Sequence, residues 1–178
     1  ISSLEAATFR GCESLEGIEI PENITTIGAS CFYECTALKT VAIPQKVESI
    51  GSGAFSGCTS LESVTIPDTV NTIGSEAFRN CTSLANINLP TEIEELSSKL
   101  FYGCTSLEEI KVPDSVISIK SNAFYNCTNL GNVVLPSNLT DIGERAFYNC
   151  TKLNCIFIPE SVTKIGTKAY GYYENIYD

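Results

Sequence analysis

The sequence repeats itself every 23 residues, with no insertion or deletion to interrupt the register. A fixed period of this length indicates one supersecondary unit stacked many times, because a single unit cannot bury its apolar face alone. The chain is therefore predicted to be a solenoid, an architecture whose open surfaces usually serve binding. The position that shows the period best is aromatic in every copy: Phe9, Phe32, Phe55, Phe78, Phe101, Phe124, Phe147 and Tyr170.

Each copy is predicted to contain a strand, a turn, a second extended segment and one helical turn. Residues 61–66 have the pattern Leu-x-x-Val-x-Ile, which places apolar side chains where a short strand buries them. Pro67 follows, and proline ends a strand because it has no N–H for the ladder. Residues 70–73 begin the second extended segment, and the residues leading into Phe78 are interpreted as the helical turn.

Two further positions of the repeat concern the backbone. Glycine follows the second extended segment in most copies and suggests a tight corner, although Ser97 and Lys120 at the same position argue against an obligatory positive φ. The residue before the repeated cysteine is usually glycine or asparagine, with Glu34 as the exception. These two residue types tolerate the left-handed conformation that closes a helix.

The pattern Leu-x-x-Ile-x-Ile-Pro-x-x-Val-x-x-Ile-Gly-x-x-Ala-Phe-x-x-Cys-x-x closely resembles the BspA-like leucine-rich repeat family of microbial surface proteins, over the whole chain. The resemblance implies an α/β repeat solenoid, a right-handed stack of coils with a parallel sheet on its concave side and short helical turns. Two features depart from the standard leucine-rich repeat. Its asparagine-ladder position is asparagine only at Asn23 and Asn138, and cysteine occupies the last apolar site.

Residues 1–178 are predicted to form one such domain, of seven 23-residue coils and a partial last coil. Ile1 is in phase with Val47, so the sequence begins within a coil. Ile176 falls where the next strand is expected. These phases predict a fragment of a longer repeat protein.

The composition argues against several classes of function. A net charge of −10 and a pI near 4.5 disfavour nucleic acid and anionic membranes as partners. No apolar run approaches the roughly 18 residues of a membrane span. Histidine is absent, which removes Ser-His and Cys-His nucleophiles and the commonest transition-metal ligand. We therefore expect no enzymatic activity, no cofactor and no metal site, and interpret pairs such as Glu94–Glu95 as exposed strand positions.

Most of the nine cysteines occupy one position of the repeat. One cysteine per coil forms a ladder, and parallel in-register side chains hold their Cβ atoms too far apart for a disulfide. We predict that these thiols are reduced, buried and slow to react, whereas Cys155 faces outward and reacts first. The ladder consists of Cys12, Cys35, Cys58, Cys81, Cys104, Cys127 and Cys150.

Candidate binding residues lie at strand positions that the repeat leaves free. Two outward rows flank the buried centre of each strand, and both become apolar towards the C-terminal end. There, Asn132 and Val134 are predicted to lie beside Cys155 and Phe157 on two neighbouring strands of the concave face. An exposed phenylalanine beside a valine is typical of an interaction site. The alternative is that this patch packs under chain outside this sequence.

A second candidate is a column of tyrosines beside the phenylalanines, formed by Tyr102, Tyr125 and Tyr148. Stacked tyrosines could meet a sugar or a peptide, or could only cover the corner of the coil.

The leading functional hypothesis is a non-enzymatic, extracellular or cell-surface module that binds proteins and mediates adhesion. The family resemblance implies a host matrix or cell-surface protein as its partner. Carbohydrate recognition is an alternative from a different class, supported by the exposed tyrosine and asparagine columns. A passive spacer that holds another domain away from the surface is the third possibility.

Overall fold

A computed structural model describes residues 1–171, which form a parallel β-solenoid of about seven turns. The expected strand at Ile176 lies outside the described residues. Each turn contributes strands to two sheets, so every described strand pairs with a strand 23 residues away in the sequence. The fixed repeat period therefore becomes a fixed register.

The front sheet consists of three-residue strands from the Leu-x-x-Val-x-Ile segments: β3 (Thr40–Ala42), β5 (Ser63–Thr65), β7 (Asn86–Asn88), β9 (Glu109–Lys111) and β11 (Asn132–Val134). The side sheet consists of two-residue strands from the second extended segments: β1 (Ser3–Leu4), β2 (Thr26–Ile27), β4 (Ser49–Ile50), β6 (Thr72–Ile73), β8 (Glu95–Leu96), β10 (Ser118–Ile119), β12 (Asp141–Ile142) and β13 (Lys164–Ile165).

The front strands bury their central residue and expose both neighbours, as the sequence predicts. Val41, Val64 and Ile87 are successive partners in this ladder. The prediction of a strand in every copy is wrong at the two ends, because residues 17–20 and 155–158 form no strand. Within the described chain each of these segments has a neighbouring strand on one side only, so half of its backbone groups have no strand to pair with.

The core contains a continuous stack of aromatic rings, one from each turn, and this confirms the predicted column. Neighbouring rings from Phe9 to Tyr170 are nearly parallel, with centroids 5.1 to 5.8 Å apart. Phe32 to Phe147 are at most 1% exposed. Buried aromatic rings contribute both apolar area and offset stacking, so this column joins each turn to the next.

The segment that carries each phenylalanine is not helical, so the predicted short helical turns are wrong. We call this segment, residues 52–58 and its equivalents at multiples of 23, the arc. In the arc, backbone hydrogen bonds alternate: Phe55 N–H donates to Ala77 O of the next turn, whereas Ser56 N–H donates back to Gly53 O. Left-handed residues such as Gly53 and Gly57 interrupt any helix, which requires negative φ throughout.

The predicted left-handed position before the ladder cysteine is confirmed in all seven turns, and it includes Glu34, at φ 57°. The second left-handed position of the arc has no glycine or asparagine signature, because it is occupied in successive turns by Ala7, Ser30, Gly53, Glu76, Lys99, Asn122, Arg145 and Lys168.

The cysteine ladder is free of disulfides in the described chain, where all nine cysteines are free thiols. From Cys35 onward each ladder thiol donates a hydrogen bond to a phenylalanine carbonyl of the preceding turn; Cys58 Sγ, for example, lies 3.1 Å from Phe32 O. Cys12 is a correction to the prediction, because it is exposed. No preceding turn of the described residues covers it.

The corner glycines are required for close approach of the backbone and not for a positive φ. A Cβ on Gly51 would lie 2.5 Å from Ala29 N, and one on Gly74 would lie 2.4 Å from Ser52 N. Neither glycine has a positive φ. Glycine at this corner therefore allows one turn to stack directly on the last.

Candidate binding surface

The outward rows of the front sheet form an exposed surface whose residues vary from turn to turn. The first row consists of Thr40, Ser63, Asn86, Glu109 and Asn132, and the second of Ala42, Thr65, Asn88, Lys111 and Val134, all exposed. The rows enclose a shallow depression of about 190 Å³ that includes Asn86, Lys111 and Val134 in its lining. This depression combines amide, charged and apolar groups, so it can make both hydrogen bonds and apolar contacts.

The predicted patch at the C-terminal end is exposed, but its two halves are not joined by strand pairing. Asn132 and Val134 lie on β11, and Val134 is 49% exposed. Cys155 and Phe157 are also exposed, Phe157 by 79%, on a segment without strand structure. Ile156, between them, packs against the core. Burial of Ile156 thus directs its two neighbours outward, as predicted, without the predicted ladder.

Two exposed apolar residues that the sequence did not single out lie near Phe157 in the chain. Ile158 is 38% exposed and Ile165, on β13, is 49% exposed. Ile165 belongs to a column that is buried in earlier turns, as at Ile27 and Ile50. The repeat pattern therefore predicts burial for Ile165, and it offered no signal of exposure.

The tyrosine column is assembled as predicted, but its ring faces are covered. Tyr102 and Tyr125 stack with centroids 4.7 Å apart, and Tyr125 and Tyr148 stack at 5.2 Å. The guanidinium of Arg79 lies 5.5 Å from the centre of the Tyr102 ring. Both faces of Tyr102 and of Tyr125 are thus occupied by neighbouring side chains. Sugars bind aromatic rings through an open face, so this column presents mainly ring edges and hydroxyl groups.

The buried thiols are poor nucleophiles. Burial raises the pKa of the Cys58, Cys104 and Cys150 thiols to about 12, and that of Cys31 to about 11. The thiolate is the reactive form, and burial disfavours it. Within residues 1–171, no group of three or more His, Cys, Asp or Glu side chains is placed to hold a metal ion.

No part of the described chain forms a helix with the length and apolar character needed to cross a membrane.

Comparison with known proteins identifies the repeat family of the chain. The sequence matches the BspA type leucine rich repeat region, in six copies, over residues 1–107 and 48–177. No curated protein matches it.

Several solved structures share the fold. A leucine-rich repeat protein from Bacteroides ovatus is 33% identical with a TM-score of 0.80, over 93% of this chain and 49% of that protein. The leucine-rich repeat protein of T. pallidum is 31% identical with a TM-score of 0.80, over 86% of this chain and 74% of that one. A leucine rich cell surface protein from Faecalibacterium prausnitzii is 31% identical with a TM-score of 0.65, over 94% and 51%. The chain thus spans about half the length of two of these three relatives.

Proposed function

The chain belongs to the BspA-type leucine-rich repeat family, and on this premise we propose that it is a non-enzymatic, protein-binding module displayed at a cell surface. We propose that its partner is a host matrix or cell-surface protein and that binding mediates adhesion. A cell-surface relative with the same fold supports the location. Repeat proteins of this kind use the side chains that vary between turns, since the others hold the stack together.

The observation that carries the proposal is the apolar end of the front sheet. Val134 is exposed on β11, where it pairs with Lys111 and lies near Asn132, and the exposed Phe157 follows in the same row one repeat later. Scattered apolar residues are normal on a surface, but apolar groups with a polar rim resemble the centre of a protein interface. We place the contact with the partner at this end of the sheet.

Protein is a better partner than carbohydrate because of the tyrosine geometry. The faces of Tyr102 and Tyr125 are covered by stacking, which removes the main support for sugar recognition. The non-enzymatic part of the proposal is supported by the raised pKa values of the buried Cys58 and Cys104 thiols, because burial disfavours their reactive thiolate form at neutral pH.

The test is adhesion of the protein to a panel of immobilised matrix proteins and to intact epithelial cells. A Val134→Ser, Phe157→Ser variant should lose most of its binding and keep its thermal melting temperature. Ala42→Ser is the matched control, because Ala42 occupies the same row as Val134 at the other end of the sheet. Equal binding by all three folded proteins would remove the patch as the site, and binding by none, including the unaltered protein, would favour a spacer.

A further inference from the structure

The stack of turns is interrupted at one place, and both sheets are divided there. Within residues 1–171, the side sheet separates into β1-β2-β4-β6 and β8-β10-β12-β13, and the front sheet into β3-β5-β7 and β9-β11. β7 therefore pairs only with the turn before it, and β8 only with the turn after it. Residues 89–94, which connect these two strands, pass from one half of the solenoid to the other.

Ser97 lies at the interruption, in the corner position where most turns have glycine. In regular turns the corner N–H donates to the preceding turn, as from Gly74 to Ile50 O at 2.8 Å. At Ser97 the hydroxyl takes this role, and Ser97 Oγ lies 2.6 Å from Ile73 O. The hydroxyl thus occupies the acceptor that the backbone N–H would use. The Cβ of Ser97 also occupies a crowded position, because a Cβ added to a glycine at this corner, such as Gly74, would lie less than 3 Å from backbone atoms of the preceding turn.

Other bonds are missing around Ser97 in the described chain. Asn71 and Ile117 donate from the backbone N–H to the preceding turn, whereas Glu94 at the same position makes no such bond. The β-turn after the front strand is also incomplete here. In the preceding repeat Val70 N–H donates to Pro67 O, whereas Ile93 N–H makes no such bond to Pro90 O.

A side chain at the corner does not by itself break the ladder. Lys120 carries a Cβ at the same position, yet its N–H donates to Leu96 O at 2.8 Å and β10 remains paired with β8. The difference is the hydroxyl of Ser97, which bonds the Ile73 carbonyl.

The arcs remain joined across the interruption. Glu76 N–H donates to Ser98 O at 3.0 Å, and Lys99 forms an ion pair with Glu76 at 3.0 Å. The rings of Phe78 and Phe101 still stack, although their centroids are 5.8 Å apart, wider than the 5.1 to 5.4 Å of the other neighbouring rings in the column. Glu108 N–H also donates to Ala85 O at 3.3 Å, just before the front strands begin. The arcs and this bond therefore stay joined across the interruption, while strand pairing is lost in both sheets.

We propose that Ser97 makes this joint a hinge, about which residues 1–88 and 95–171 tilt as two rigid blocks. The arcs form the axis, because their hydrogen bonds persist there. The unpaired edges of β7 and β9 move apart or together as the blocks tilt. This motion changes the curvature of the front sheet, and the hinge exists whether or not that sheet is the binding surface.

Hydrogen exchange of the chain tests the hinge residue by residue. In the unaltered protein, the amides of residues 94 and 97 should exchange faster than the corresponding amides of residues 71 and 74. Ser97→Gly should restore the backbone bond to Ile73 O and slow exchange at residue 97 by about tenfold, the effect of one backbone hydrogen bond regained in a local opening. Lys120→Gly is the matched control, because its ladder is already complete, and it should slow neither amide.

A second readout uses the two exposed cysteines, Cys12 and Cys155, which lie in different blocks. Spin labels on these thiols should give a broad distance distribution in the unaltered protein and a narrower one in Ser97→Gly. The proposal is wrong if residues 94 and 97 exchange as slowly as 71 and 74 in the unaltered protein. It is equally wrong if a folded Ser97→Gly protein leaves both the exchange and the distance distribution unchanged.

Discussion

Truncation of Leu107 to alanine should reveal how firmly the register of the stack holds the core. Leu107 is fully buried, in a column with Leu84 and Leu130, which are also 0% exposed. Buried leucine-to-alanine changes cost about 2–5 kcal/mol, more where the surroundings cannot collapse into the cavity. The arcs on either side, which stay joined across the interruption at Ser97, are held by backbone hydrogen bonds and by the phenylalanine stack. We therefore expect a loss of about 3–5 kcal/mol in the free energy of unfolding.

Urea denaturation followed by far-ultraviolet circular dichroism measures this loss through the midpoint and slope of the transition. Leu153→Ala is the matched control, because Leu153 occupies the same column in the last described turn and is only partly buried. It should cost less than about 2 kcal/mol, since less apolar contact is lost. A cost below about 0.5 kcal/mol for Leu107→Ala, or equal costs at both sites, would refute the burial argument.

A thiol reagent at pH 8 should label the exposed Cys12 and Cys155 within minutes, and the buried cysteines only after denaturation. Mass spectrometry of the labelled peptides measures this, and rapid labelling of Cys81 would contradict it. Burial raises the pKa of the Cys58 and Cys104 thiols from 9.0 to about 12. The unfolded chain therefore loses these protons at a lower pH than the folded protein, so the free energy of unfolding is highest below pH 9 and falls as the pH rises towards 12. The urea midpoint should fall over that range, and less steeply in Cys58→Ala, Cys104→Ala; an equal fall in both proteins would exclude the thiols as a cause. Gly74→Ala should lower the free energy of unfolding by about 1–3 kcal/mol, because the added Cβ would lie 2.4 Å from Ser52 N. Gly17→Ala is the control and should be neutral or slightly stabilising, because there is open space around Gly17. Equal effects of the two changes in urea denaturation would contradict this steric argument.

Much of the fold is predictable because the period is fixed. Once one phenylalanine is placed in the core, as at Phe55, every other copy follows at intervals of 23 residues. The same register separates buried Val64 from exposed Ser63 and Thr65 on the front sheet. Periodicity therefore specifies which side chains share a column and which columns face solvent.

The arc was not predictable, since its left-handed residues include types such as Lys99 and Arg145 that seldom adopt this conformation. Their conformation follows from bonds to the next turn, as from Lys99 N–H to Ser121 O, and sequence propensity does not contain that information. The interruption at Ser97 did leave a signal in the sequence, the loss of a corner glycine. Its meaning depended on the hydrogen bond from the Ser97 hydroxyl to Ile73 O, because Lys120 also replaces the glycine and keeps its ladder, and only the structure supplies that bond.

Side-chain exposure at the candidate patch was predictable for the same reason as the core, but strand pairing was not. Alternation about Ile156 correctly places Cys155 and Phe157 outward. Pairing of that segment with β11 depends on hydrogen bonds between turns, and a periodic pattern does not reveal where a ladder stops.

A steric scan along the first row of the front sheet would test the proposed binding surface most directly. Arginine replaces, one at a time, Thr40, Glu109 and Asn132, and Ser52, an exposed arc residue, serves as the control. Adhesion to epithelial cells is measured for each folded variant. We expect the loss of binding to be greatest at Asn132, smaller at Glu109 and absent at Thr40 and Ser52. Full adhesion by Asn132→Arg, or a greater loss in Ser52→Arg, would contradict a binding surface on the front sheet.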